Sequence, residues 1–501
     1  MPAMPPANPP RRITADNGPW PLFDAAASRR VEAAALAAAA PGALMAQAGL
    51  AVARLALAVA PHAARVQVWA GPGNNGGDGL VAAKLLHLAG RTVQVNLIAD
   101  AARLPADAAQ ALEAASAAGV PLSDGTQPWA ESGLVIDALL GIGAHRPPAG
   151  ALAQAIRAIN LGSAPVLAVD IPSGLHPDSG AVLGAEAVRA RHTLSLLTLK
   201  PGCFTHQGRD HSGQLWLDSL GVQAGDFTAT LSGPASPRAR LHAAHKGRFG
   251  DVAVAGGAQG MEGAAWLASG AALAAGAGRV YVCLLGGDGA APPAGRPELM
   301  TRPVAWLLAP AVLTACTVVC GCGGGESVRA ALAPLLSHAA RLVLDADALN
   351  ALASDTALQH LLTMRAARSL PTLLTPHPLE AARLLGCAVA EVQQDRLAAA
   401  RALAVRHACT VLLKGSGSVI ASAGALAINS SGNAALSTAG TGDVLAGWCG
   451  GLWAQRPTAA AGDIAAAGAW EHGRAADDFA ARSPGRPLRA AELIEALAHR
   501  S

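Results

Sequence analysis

Over most of its length the chain alternates short β-branched apolar runs with longer stretches rich in alanine and leucine, and few folds accept that pattern. "RVQVWA" (65–70) gives way to a glycine loop and a helical stretch over 79–89. "TVQVNLIAD" (92–100), "GLVIDALLG" (133–141) and "PVLAVDIPSG" (165–174) follow, with helical segments between them, one of them around 150–160. Apolar strands separated by helices build a parallel sheet covered on both faces. The fold class is therefore α/β, and binding loops should gather at the carboxyl ends of the strands. The alternation breaks at "GVQAGDFTATLSGPASPRAR" (221–240), where glycine, proline and serine replace apolar anchors. A second series then runs through "GDVAVAGG" (250–257), "GRVYVCLL" (278–285), "CTVVCGCGGG" (316–325), "RLVLDADALN" (341–350), "PTLLTPHP" (371–378) and "TVLLKGSGSVIAS" (410–422). With 501 residues, too many for one core, two domains are expected, over 12–222 and 240–498, joined by a linker over 223–239.

Composition excludes some partners. The net charge is +3, only 14% of residues are charged, and no basic block occurs, so no nucleic-acid or membrane-surface partner is expected. The opening "MPAMPPANPPRR" has no apolar core and reads as an extended lead-in rather than a signal peptide. Apolar windows around 43–60 and 264–286 are interrupted by Arg54 and Arg279 and suit buried elements better than membrane spans. Eight cysteines without a disulfide-like framework point to a reducing cytoplasm. Cys316, Cys320 and Cys322 cluster, but no histidine stands at zinc-like spacing, so they read as small buried residues at a strand end.

Three strand ends in the first half carry polar residues. In "GPGNNGGDG", Gly71, Gly73 and Gly76 satisfy the dinucleotide fingerprint G-x-G-x-x-G. Yet Pro72 removes an amide and Asp78 brings a carboxylate where a pyrophosphate would lie. A ligand-free tight turn is the plainer alternative. Asp137 and Asp170 end two further apolar runs. Alone, each would read as a turn or capping residue; three polar ends on one sheet edge make a site. Oxygen ligands from Asn75, Asp137 and Ser173 suit a hard cation. In the second half, "STAGTGDVLAGWCGGL" (437–452) places Gly440, Thr441 and Gly442 at the start of an apolar helix, where their amides can hold a phosphoryl group. Asp443 beside them can act as general base. A glycine turn with an aspartate cap is the alternative. Lys414, His377, Asp345 and Asp347 also close strands, though singly such residues are more often solvated or structural.

The ordered motifs "GPGNNGGDG", "IDALLGIG" and "VDIPSG", preceded by "PLFDAAASRRVE…ALMAQAGLAVA" (21–53), resemble the epimerase domain of the NAD(P)H-hydrate repair enzymes. "HKGRFGDVAVAGG", "GAAWLASGAALAAGAGRV", "LDADALN", "LTPHPLEAARLL", "LLKGSGS" and "AGTGDVLAG" resemble the dehydratase partner of the same system. The resemblance implies a Rossmann-like first domain that interconverts the R and S forms of hydrated NADH or NADPH. It implies a ribokinase-like second domain that dehydrates the S form with ADP, as in bacterial relatives, or ATP, as in eukaryotic ones. ADP is expected here, with Mg²⁺ to neutralise the polyphosphate. Carried onto this sequence, potassium would be held by Asn75, Asp137 and Ser173. The hydrate would meet Asn74, Asn75, Gly76, Gly77 and Asp78, then Gly141, Ile142, Gly143, Ala144, His145, Arg146 and Pro147, with Asp170 catalytic. In the second domain Ala264, Gly323 and His377 would hold the hydrate, with Asp443 catalytic. Lys414, Gly415, Ser416, Gly417, Ser418 and Gly442 would hold the nucleotide. The family's G-P-G-L-G loop reads "GCGGG" (321–325) here, a looser turn. A homo-oligomer is expected. Two other readings stay open: a ribokinase-like kinase of a vitamin alcohol with an accessory domain, and a non-catalytic nucleotide-binding protein. The "GNNGGDG" domain speaks against the first, the retained Asp170 and Asp443 against the second.

Overall fold

The computed structural model describes residues 9–127, 129, 131–235, 240–287 and 296–500, in two compact units, Met1–Leu231 and Ser232–Ser501. Residues 1–8 of the lead-in and 236–239 of the stretch read as a linker lie outside the described residues. The linker stretch also contains a strand, Ala229–Leu231, paired antiparallel with Trp20–Leu22.

In the first unit the main sheet runs in the order Arg11–Arg12, Gln214–Asp218, His192–Leu196, Val166–Val169, Leu134–Ala138, Arg65–Ala70, Thr92–Leu97, Leu122–Ser123. Arg11–Arg12 is antiparallel to its neighbour and the rest are parallel. The order reverses at Arg65–Ala70, so its carboxyl end and that of Leu134–Ala138 open a crevice at the switch point. Side chains sort by strand alternation. Val66, Val68 and Ala70 join a core with Val52, Leu55 and Leu80, while Trp69 packs on the opposite face with Ile156 and Ile159. Helix Asn74–Leu88 begins at residue 74 rather than 79, because the asparagines and glycines of the loop form its first turn.

The second unit orders its strands Met300–Thr301, Arg279–Leu284, Asp251–Gly256, Thr317–Cys320, Arg341–Leu344, Thr372–Leu374, Thr410–Leu413, Val419–Ser422, Ala425–Ile428. The first seven are parallel and the last two antiparallel. The run at 410–422 is thus two strands, broken where "KGSG" turns the chain back. The run at 341–350 is a strand followed by helix Asp347–Ala353, since a buried strand cannot continue through the paired aspartates. Small residues let helix Thr441–Gln455 lie close on helix Glu262–Ala274 above this sheet.

No single described helix is long and apolar enough to cross a membrane. Helices Ala25–Ala38 and Ala43–Val59 together have the length and composition, but they are bent by 116°. The window 43–60 is a helix packed in the first core, and 264–286 divides between helix Glu262–Ala274 and strand Arg279–Leu284.

Candidate active sites

In the first unit a cavity of about 490 Å³ lies at the switch point, reached by Asn74, Asn75, Asp78, the loop 139–144 and Asp170. Asp170 has φ 68°, a left-handed conformation that a non-glycine residue adopts at a cost and that often marks a working site. Its carboxylate accepts hydrogen bonds from Lys200 Nζ and from the Leu196 amide. Lys200 is 1% exposed and gives its other two protons to the Leu196 and Thr198 carbonyls at 2.8 and 2.9 Å. An ammonium with three acceptors has no proton left for a ligand, so Lys200 fixes Asp170. Helix Ala25–Ala38 adds Arg29 and Glu32 to the same cavity. Burial, then Asp170, raises the Glu32 carboxyl above its usual range. Burial, then Asp170 and Glu32, pushes Asp78 well above. Glu32 and Asp78 therefore hold their protons to higher pH than exposed carboxyls do.

The other expected contacts divide. Gly141, Ile142, Gly143 and Ala144 line the cavity. Gly76 and Gly77 turn into the packing instead: a Cβ at Gly76 would stand 2.1 Å from the Gly71 carbonyl oxygen, and one at Gly77 would meet Met45. His145 is exposed, with Arg29 Nη2 at 2.6 Å from its Nε2. Arg146 and Pro147 are exposed, beyond the lining residues.

The three expected cation ligands converge on residues 139–141. Asp137 is fully buried and accepts from Ser173 Oγ at 2.6 Å, Ser173 N at 2.9 Å and Leu139 N at 3.2 Å. Ser173 Oγ also accepts from Leu140 N at 2.9 Å, and Asn75 lies against Gly141. Burial raises Asp137 to about 6, with only neutral hydrogen-bond donors to counter it. The Asn75 amide nitrogen is buried without a partner. That nitrogen is a donor and cannot bind a cation; the feature that fits a monovalent cation is the Asp137 carboxylate, buried among neutral donors only.

In the second unit the polar groups again sit at carboxyl ends of strands. Asp345, 1% exposed, follows Arg341–Leu344 and accepts from Lys414 Nζ at 2.5 Å and Thr375 Oγ1 at 2.8 Å. Lys414 follows Thr410–Leu413; burial opposes its charge, but Asp345 and Glu380 outweigh burial and hold it above its usual range. Asp443, in the first turn of helix Thr441–Gln455, brings its carboxylate within 4.8 Å of that of Asp345 and of Cys322 Sγ. Burial, then Asp345, raises Asp443 to about 6. Lys414 supplies this group with its cation. A Cβ at Gly442 would lie 3.4 Å from Lys414 Nζ, so the helix start and the ammonium face one space, a ready anion site.

Ala264 and Gly323 adjoin, a Cβ at Gly323 falling 2.9 Å from that of Ala264. His377 caps helix Pro378–Leu385 with Nδ1, accepting from the Leu379 and Glu380 amides. Its Nε2 lies 3.2 Å from Glu380 Oε1, and burial, then Lys414, keeps the ring below its usual range. Glu380 is 3% exposed, and burial raises it to about 7. Residues 415–418 form a turn closed between Ser418 Oγ and Gly415, with Ser416 exposed. Lys200, Glu32, Arg29, Glu380, Thr375 and the contact of Cys322 with the aspartates were missed by motif reading. Lys200 had one available signal, a lysine closing the apolar run "HTLSLLTLK".

Two family profiles match the chain, one described as NAD(P)H-hydrate dehydratase over residues 252–498 and one as YjeF-related protein N-terminus over 41–202. The bifunctional NAD(P)H-hydrate repair enzyme of Escherichia coli strain K12 is 39% identical over 469 residues, covering 91% of this chain and 88% of that one. The chain belongs to the bifunctional NAD(P)H-hydrate repair enzymes. The member from Coxiella burnetii is 37% identical over 467 residues, 90% of this chain and 93% of its own. Among solved structures, the ADP/ATP-dependent NAD(P)H-hydrate dehydratase from Bacillus subtilis is 28% identical, with a TM-score of 0.43, covering 54% of this chain and 93% of that one. In this repair enzyme Asp170 and Lys200 fall within the YjeF-related part, and Asp345, Lys414 and Asp443 within the dehydratase part. Family membership favours repair over the vitamin-alcohol kinase reading.

Proposed function

We propose that this repair enzyme works through two separate groups, Asp170 with Lys200 in an epimerase domain over 12–222, and Asp443 with Lys414 in a dehydratase domain over 240–498. The division of the chain between Leu231 and Ser232 supports those boundaries. In the first domain Asp170, oriented by Lys200, takes the proton of the C6 hydroxyl as the bond from C6 to the ring nitrogen opens to an aldehyde, and returns it when the nitrogen closes on the opposite face, so that the R and S hydrates interconvert. Asn75, Asp137 and Ser173 would hold potassium, which supplies fixed positive charge beside the cavity. In the second domain Asp443 takes the proton of the C6 hydroxyl of the S hydrate as its oxygen attacks the terminal phosphorus of ADP or ATP. The bond to the bridging oxygen breaks, AMP or ADP leaves, and the hydroxyl has become a phosphate ester. The ring nitrogen then expels inorganic phosphate from C6, and loss of a C5 proton restores NADH or NADPH. Lys414 and the amides of 440–442 counter the charge of the transferring group. Mg²⁺ arrives with the nucleotide as part of the substrate.

The observation that carries the reading is the packed group of Asp443, Asp345 and Lys414 at the N-terminus of helix Thr441–Gln455. No disulfide links the eight cysteines, which accords with a cytoplasmic setting. Purified protein given hydrated NADH, Mg²⁺ and ADP should regain NADH absorbance, faster than with ATP at equal concentration. Faster repair with ATP would overturn the ADP preference; no recovery with either nucleotide would sink the dehydratase assignment.

A further inference from the structure

Cys322 occupies the second position of the loop 321–325, and nothing so far gives it work. Its side chain is fully buried, and its Sγ lies within 4.8 Å of the carboxylates of both Asp443 and Asp345. The backbone around it is pinned. The Cys322 carbonyl accepts from Gly257 N at 2.9 Å, Gly321 N donates to the Ala255 carbonyl at 3.0 Å, and Gly324 N donates to the Gly321 carbonyl at 3.0 Å. Gly321 has φ 121°, and a Cβ there would stand 1.9 Å from the Asp345 carbonyl oxygen, so the loop is held in place rather than forming the looser turn expected of "GCGGG". The thiol is therefore held at a fixed point between two carboxylates.

We propose that Cys322 is a positioning residue for Asp443: its thiol donates to the carboxylate and sets the orientation in which it accepts the substrate proton. The inference rests on Asp443 being the base. Burial, then Asp443 and Asp345, pushes the thiol well above its usual range, so at neutral pH it serves as a donor. Without that donor, burial and the Asp345 charge act on Asp443 less opposed, and it holds its proton to higher pH. The other groups around Asp443 are Asp345 and Asp347 from the end of Arg341–Leu344, and Lys414 from Thr410–Leu413. Glu380 and His377 come from helix Pro378–Leu385. His472, from helix Ala461–Arg482, bonds the Thr441 carbonyl at 3.0 Å. Glu380 titrates near 7 in the same range, but it is common to every Cys322 variant.

The test is the pH profile of kcat/KM for dehydration in Cys322→Val, which keeps the volume and loses the donor, and in Cys322→Ser, which keeps a donor. Cys322→Ala serves if the valine does not fold, and nucleotide-dependent thermal shift reports folding. The wild-type acid limb should lie near pH 6. The valine variant should move it up by about half to one pH unit, a roughly three- to tenfold loss on the limb that vanishes above about pH 8. The serine variant should keep the wild-type limb. A limb unmoved in valine, or an equal loss at all pH values in valine and serine alike, overturns the proposal. Asp443→Asn, assayed alongside, separates the layers: if it still dehydrates the hydrate, the base assignment fails. If it is inactive while valine leaves the limb in place, only the role of the thiol fails.

Discussion

Asp443 and Asp170 both end up at the edge of a parallel sheet beside a lysine, yet their neighbours give them different work. Lys200 bonds Asp170 directly, whereas Lys414 bonds Asp345 and leaves Asp443 beside it. Asp443, raised to about 6, is mostly ionised at pH 7 and still basic enough to take a proton. Dehydration should therefore fall as pH drops through about 6, measured as kcat/KM at saturating nucleotide. A limb at the ordinary carboxylate value would mean that another group is the base. Asp443→Asn should cost about 10²–10⁴-fold in dehydration of the S form and leave R/S exchange unchanged. Asp170→Asn should do the reverse, read by separating the two hydrates chromatographically over time. Slowed epimerisation in Asp443→Asn would contradict two independent sites. Asp170 stood out because a carboxylate closing an apolar run is out of place there, and Asp443 because it follows a glycine turn at the start of an apolar helix. Their partners did not: a lysine at a strand end is ordinarily solvated, and only the fold shows that Lys200 is 1% exposed with three acceptors. Cys322 reads as a small buried residue, which it is; its contact with Asp443 depends on where another element begins.

The strand-to-helix loops do most of the placing at the scale of elements, and the loop after Leu134–Ala138 does the most. Its amides bond Asp137 and Ser173, and its glycine touches Asn75. Periodicity located the strand but could not show that residues 139–141 gather three separate segments. Asp137 rises from 3.8 to about 6 on folding, so between these values the folded chain keeps a proton that the unfolded chain has lost. Burying the charge thus costs stability above about pH 6, and the cost fades as pH falls towards 4. A cation offsets it only where the carboxylate is ionised. Potassium should raise Tm more at about pH 8 than at about pH 5, with sodium as control, and Asp137→Asn should lose that pH dependence. An equal gain at both pH values, or one kept by the asparagine variant, would place the cation elsewhere. The helix start at Asn74 was missed for a related reason: the loop glycines are there for close approach. Gly76→Ala should cost roughly 1–3 kcal/mol in thermal or denaturant unfolding, since its Cβ would meet the Gly71 carbonyl at 2.1 Å. A neutral result would show that the turn gives way easily.

Over the whole molecule, the two αβ series and the break between them were readable because each domain repeats its own alternation. The strand Ala229–Leu231 was not, for three residues of "ATL" carry too little pattern to stand out from a glycine- and proline-rich stretch. Each compact unit contains a complete group of its own: Asp170, Lys200 and the switch-point cavity in one, Asp345, Lys414 and Asp443 in the other. If each group is sufficient for its step, the S hydrate made by the first can leave and be taken up by the second on any molecule. Asp170→Asn retains the dehydratase group and Asp443→Asn retains the epimerase group. Neither variant alone should clear the R hydrate faster than spontaneous epimerisation supplies the S form. An equimolar mixture should clear it at a rate set by whichever step is slower, and adding wild-type protein at the same site concentration should give no further advantage. Dilution at constant substrate should slow the mixture and the wild type in parallel, because both depend on free S hydrate. If the mixture failed while each variant kept its own single activity, the two domains would have to pass the hydrate within one chain, and the picture of two self-sufficient sites would be wrong.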